Sequence, residues 1–100
     1  MAKSEEEIIR QQIKSYIDRK NGRYKSWYVG VSGDARRRLF YGHNVDKKDW
    51  WIFRITSSSS VARRIESYFF DTVGTDGAPG GGTEEVNAVY AYKKRAHTDP

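Results

Sequence analysis

The chain contains no cysteine and a single methionine, and only 37% of its 100 residues are hydrophobic. Without cysteine there is no disulfide scaffold, no thiolate-bound zinc and no thiol nucleophile. No apolar run approaches the roughly 20 residues of a membrane span, and none has the form of a secretory leader. The expectation is therefore an intracellular, cytoplasmic protein with no membrane partner. The glycine-rich stretch from Gly74 to Thr83 lacks the Gly-Lys-Ser/Thr ending of a phosphate-binding P-loop. His43 and His97 have no motif context that would make a Ser-His-Asp triad. A chain of this length has room for one core, so residues 1–100 are read as one domain.

What the sequence does have is charge and aromatic bulk. Aromatic residues make up 14% and charged residues 31%, with a formal net charge of +5. That excess is concentrated. Residues 23–42 hold Arg23, Lys25, Arg36, Arg37 and Arg38 against Asp34 alone, a net +4, interleaved with Tyr24, Trp27, Tyr28, Phe40 and Tyr41. Cations neutralise phosphates and aromatic faces stack on bases, so this stretch has the composition of a nucleic-acid footprint.

Ser4-Glu5-Glu6-Glu7 is a capping box, and Ile8/Ile9, Ile13 and Tyr16/Ile17 recur at helical spacing up to Asn21-Gly22. These signals predict a helix over about 5–19. Residues 24–32 and 50–56 are rich in aromatic and β-branched side chains and read as strands. The near-continuous apolarity of the second predicts that it is covered on both faces or lies centrally. Asp34 is a candidate N-cap for a short helix over 35–41. Residues 59–73 read as a helix, 74–83 as a loop, 86–92 as a last strand and 95–100 as a disordered tail. The expected fold is α+β: a mainly antiparallel three-stranded sheet flanked by about three helices.

The helix over 59–73 raises a question of cost. Ala62, Phe69, Phe70 and Val73 lie at −4, +3, +4 and +7 from Glu66. That spacing puts a carboxylate on an apolar stripe, an expensive position without a purpose. Arg63, three residues before it, offers the plainer alternative of a surface ion pair.

Tyr28-Val29-Gly30, followed by Asp34 and by Arg38-Leu39, resembles the second half of the signature of the GIY-YIG nucleases. Ala62 to Phe70 resembles the later helix that carries that family's metal-binding glutamate. The resemblance implies an endonuclease that cleaves DNA phosphodiester bonds with one Mg²⁺ (or Mn²⁺). It implies Glu66 as metal ligand, Arg38 as phosphate clamp and Tyr28 as the water-orienting or general-base group. His43 falls one residue beyond a position often held by Tyr or His. Gly30 would let backbone and phosphate approach closely, and Lys25, Arg36 and Arg37 would add phosphate contacts. No Gly-Ile-Tyr strand precedes Tyr28. The strand over 86–92 is expected to fill that place in a permuted arrangement, bringing Tyr90 or Tyr92 beside Tyr28. Sequence specificity would have to come from a partner protein or be absent. Two other readings stand beside this one: a non-cleaving nucleic-acid-binding module of the same fold, and a protein-interaction domain.

Overall fold

The structure, a computed structural model, describes residues 2–79 and 85–100, so the glycine-rich loop lies partly outside the described residues. Helix α1 (Glu5–Lys20) starts where the capping box puts it: the Ser4 hydroxyl accepts the Glu7 N–H at 3.2 Å. It ends where the N–H groups of Asn21 and Gly22 both close on the Ile17 carbonyl, with Gly22 at φ +63°. That left-handed conformation is open to glycine at little cost. Ile9, Ile13 and Ile17 form its buried stripe.

Strand β1 (Trp27–Ser32) is shorter than the sequence suggests, because residues 24–26 close a 3₁₀ turn through Ser26 N–H to Arg23 C=O. Asp34 caps α2 (Ala35–Arg37), which runs straight into a π turn over Arg38–Gly42. Strand β2 (Trp51–Ile55) follows, then α3 (Ser59–Tyr68), which also finishes in a π turn, Phe69–Val73. Strand β3 (Ala88–Lys93) closes the fold. The sheet is antiparallel with order β1-β3-β2. Among the described residues no helix is long and apolar enough to cross a membrane.

One expectation holds in its first form, coverage of both faces rather than a central place, and one is corrected. β2 is an edge strand and β3 is central. β2 reads as continuously apolar because both of its faces are covered: Ile52 joins the core under α1 and α3, while Trp51 and Phe53 pack with Phe40 on the other side. The chain end is not a loose tail. Lys94 N–H bonds Ser26 C=O, Asp99 N–H bonds His43 C=O, and Asn44 donates to His97 C=O, leaving Thr98 buried.

Each face of the sheet carries its own core. Trp27, Val29, Val89 and Ala91 meet the isoleucines of α1 and the Ala62, Ile65 and Phe69 face of α3. On the opposite face Tyr28, Tyr90 and Tyr92 meet Ala35, Leu39 and Val45. The tyrosine face depends on one glycine. Gly30 pairs with Tyr90 across the strands, and a Cβ on Gly30 would stand 2.5 Å from the Tyr90 Oη. Gly30 thus makes room for the Tyr90 ring, and it also lines the cleft described below. Tyr90 is 1% exposed and has nowhere to withdraw. Gly30→Ala is expected to lose roughly 1–3 kcal/mol of stability in urea unfolding, the usual cost of overpacking. A loss under about 0.5 kcal/mol, the range of an ordinary surface change, would contradict this packing.

Candidate active site

β1 is an edge strand, and among the described residues Asp76 bridges to its outer edge. Asp76 pairs with it through Val29 N–H to Asp76 C=O and Asp76 N–H to Trp27 C=O. Beyond that pairing, a cleft of about 320 Å³ opens along the strand between α2 with its π turn on one side and α3 on the other. Four elements supply its functional side chains: Tyr28 from β1, Arg38 from the π turn, Glu66 with Arg63 from α3, and Tyr90 from β3. Gly30 and Ser32 also line it.

Glu66 lies on the inner side of α3 and is 4% exposed, so it is not a solvated surface carboxylate. Burial pushes its carboxyl pKa up to about 6, with the Arg63 guanidinium opposing the rise. Tyr28 is likewise pushed up, first by burial and then by the charge of Glu66, with Arg38 opposing. Arg38 is the counter-charge at the mouth. Its side chain passes over Gly42, where a Cβ would come within 3.1 Å of the arginine Cδ.

Behind the cleft stands a buried polar cluster. Tyr28 stacks on Tyr92 at 5.4 Å and on Tyr90 at 6.4 Å between ring centroids, and the His43 ring lies 4.8 Å from that of Tyr28. His43 Nδ1 is 2.7 Å from the Asp99 carbonyl oxygen, and Nε2 is 2.6 Å from the Tyr90 hydroxyl. A carbonyl can only accept, so Nδ1 carries the hydrogen, and the Tyr92 hydroxyl, 3.1 Å from the same nitrogen, can share it only as an acceptor. In the neutral ring Nε2 must then accept from Tyr90 O–H. Burial lowers the His43 pKa and so favours that neutral ring. Burial also pushes the Tyr90 phenol up, with Arg38 opposing. Tyr90 therefore keeps its proton at rest and points it at a neutral base.

The structure brings Tyr28, Arg38, Glu66, Tyr90 and Gly30 to one cleft, with His43 directly behind it. It does not bring the other expected cations there. Lys25 sits exposed on the 3₁₀ turn, outside the cleft lining. The Arg36 guanidinium lies over the Phe53 ring at 5.6 Å, and Arg37 lines a neighbouring groove. Arg63, one turn from Glu66 on α3, lines the cleft beside it. The Asp99 carbonyl had no signal in the sequence, because its partner His43 is 56 positions away.

Among the described residues Glu66 is the carboxylate in the cleft lining, and Asp76 is committed elsewhere, to Lys94 Nζ at 3.1 Å and to the Gly77 N–H. Among the described residues no group of three or more His, Cys, Asp or Glu side chains could hold a metal ion. A hard cation held at Glu66 would have this one carboxylate among the described lining residues and would take its remaining positions from water and phosphate oxygens. A buried carboxylate facing an open cleft is the kind of group such a cation would offset.

Two outcomes follow from the titrating groups. Glu66 is charged less readily when folded, so its contribution to stability is held below pH 4.5 and lost as pH rises through about 6. In EDTA, Glu66→Gln is expected to be more stable than the parent at pH 7.5 by roughly 1–2 kcal/mol. In a 60–100-residue domain that is several degrees in Tm, and the gain should shrink below pH 4.5. No gain at pH 7.5 would contradict the burial of Glu66. For His43 the sign is opposite: stability present above pH 6.5 is lost as pH falls. Nitrogen-15 NMR of the ring at pH 7 should show Nδ1 protonated and Nε2 bare, titrating below 6.5. An Nε2–H tautomer would overturn the arrangement with Tyr90.

No family model matches the chain, and no curated protein or solved structure matches it either.

Proposed function

We propose that this domain is a divergent, permuted GIY-YIG-like endonuclease that cleaves DNA phosphodiester bonds with one Mg²⁺ or Mn²⁺ held at Glu66. The observation that supports this most is the meeting of Tyr28, Arg38, Glu66 and Tyr90 in one cleft from four separate elements. The pairing of β3 with β1, which sets Tyr90 opposite Gly30 and Tyr92 opposite Tyr28, supports the permuted form.

Each residue has a task that its surroundings suit. The Arg38 guanidinium forks onto a non-bridging phosphate oxygen and keeps its charge at any working pH. Arg63, on the opposite wall, adds a second cation against the charge that builds at phosphorus. Tyr28 orients the attacking water from the strand edge. As that water attacks, its proton passes to the Tyr90 oxygen while the Tyr90 proton moves to His43 Nε2. The departing 3′ oxygen takes its proton from solvent. A bound cation would contribute Lewis-acid stabilisation of the phosphate.

A second reading, a module that binds nucleic acid without cutting it, is favoured by the cleft lining of the described residues, where one carboxylate, Glu66, stands with Arg38 and Arg63. Glu66→Gln separates the two. Supercoiled plasmid and single-stranded DNA should be nicked in Mg²⁺ or Mn²⁺ and left intact in EDTA. Glu66→Gln and Arg38→Ala should each lower the rate by about 100-fold or more. If the parent cuts neither substrate with either metal, while Glu66→Gln binds DNA as well or better, the binding module is the correct reading.

A further inference from the structure

We propose that the π turn Arg38–Gly42 and its surroundings form a track for an unpaired DNA strand leading out of the cleft, with Tyr41 as its base-stacking platform. The inference rests on the cleavage reading for where the scissile phosphate sits. It rests on separate residues for everything else.

The first observation is Tyr41 itself. It is 86% exposed, the highest value among the exposed large apolar side chains of the described residues. Its neighbours on the turn behave differently: Leu39 is fully buried, and Phe40 packs edge-on against Trp51 at 5.1 Å. The π turn sets this division. His43 N–H reaches back five residues to Arg38 C=O, so Leu39 is carried into the core and Tyr41 out to solvent. A lone exposed ring would need no explanation.

The second observation is what surrounds that ring. Two shallow grooves of about 340 and 510 Å³ continue from the cleft. Ser32 and Arg38 belong to both the cleft and the first groove; Arg37 and Tyr41 belong to both grooves. The second groove adds Arg36 and Lys47. A path leaving the phosphate site at Arg38 thus meets Arg37, Tyr41, Arg36 and Lys47 without a break. Asp34 is the carboxylate on this path, and it accepts the Arg37 N–H at 3.2 Å, placing its charge on the helix terminus it caps.

The chemistry selects the ligand. A row of cations alone would suit the backbone of any nucleic acid. An exposed aromatic face set among them needs an uncovered base face, which an unpaired strand offers and an intact duplex keeps within its own stack. The expected substrate is therefore a junction, overhang or flap whose single strand runs over Tyr41 while its phosphate reaches Arg38.

The test is fluorescence anisotropy in EDTA, where no cleavage occurs, with labelled dT12 and a blunt 12-base-pair duplex as probes. Tyr41→Ala should weaken dT12 binding about 5- to 100-fold, the factor that base–aromatic stacking supplies. It should leave duplex binding within about twofold, and Tyr41→Phe should retain the parent's affinity for both. An unchanged dT12 affinity in Tyr41→Ala would overturn the track, as would an equal loss on both probes. Because binding is read without turnover, loss of dT12 binding in Tyr41→Ala beside an absence of plasmid nicking would leave the track standing and remove the nuclease. Plasmid nicking with dT12 binding indifferent to Tyr41 would do the reverse.

Discussion

The close crossing of Tyr90 over Gly30 is the contact on which the rest of this domain depends. With no side chain at position 30, the phenol lies against the neighbouring strand, and its hydroxyl reaches both the cleft and His43. Everything functional is referred to that point. The sheet edge that carries Gly30 forms part of the cleft wall, while the chain end that supplies the Asp99 carbonyl fixes the hydrogen on His43. A side chain at position 30 would therefore disturb packing and proton placement together.

Two opposed electrostatic costs are built around this crossing. Glu66 is kept inside an apolar stripe of α3, where its charge is disfavoured, while Arg38 and Arg63 stand on either side of the cleft. His43 is kept neutral by the same kind of burial. A carboxylate reluctant to ionise gives up stability at neutral pH, and a base reluctant to protonate gives it up below pH 6.5. That is a familiar mark of sites shaped for chemistry rather than for folding.

The local parts of this structure were legible in the sequence. The capping box gave the start of α1, and the isoleucine spacing gave its buried face, because both depend on residues within one or two turns. The Tyr28 to Arg38 spacing and the Ala62 and Phe69 flanks of Glu66 were legible for the same reason, whereas Phe70, expected on the same stripe, is exposed. Strand order was not: β2 reads as apolar as a central strand because Phe40 on Trp51 and Arg36 on Phe53 cover a face that edge strands often leave wet. Nor could three consecutive arginines be told apart by composition. Each step along a helix turns the side chain by about 100°; here Arg36 goes to Phe53, Arg37 to a groove and Arg38 to the cleft. The docking of residues 94–100 through His43, Asn44 and Asp49 joins positions about half the chain apart, and no local pattern announces it.

The central claim is that one cation and one phosphate meet at Glu66, between Arg38 and the two tyrosines. Paramagnetic broadening tests it most directly: Mn²⁺ titrated into the isotope-labelled protein with a phosphorothioate oligonucleotide that resists cleavage. The account predicts that signals of Glu66, Tyr28, Arg38 and Tyr90 broaden first and together. Broadening that begins instead at the acidic first turn of α1, Glu5 to Glu7, with the cleft signals unaffected, would contradict it.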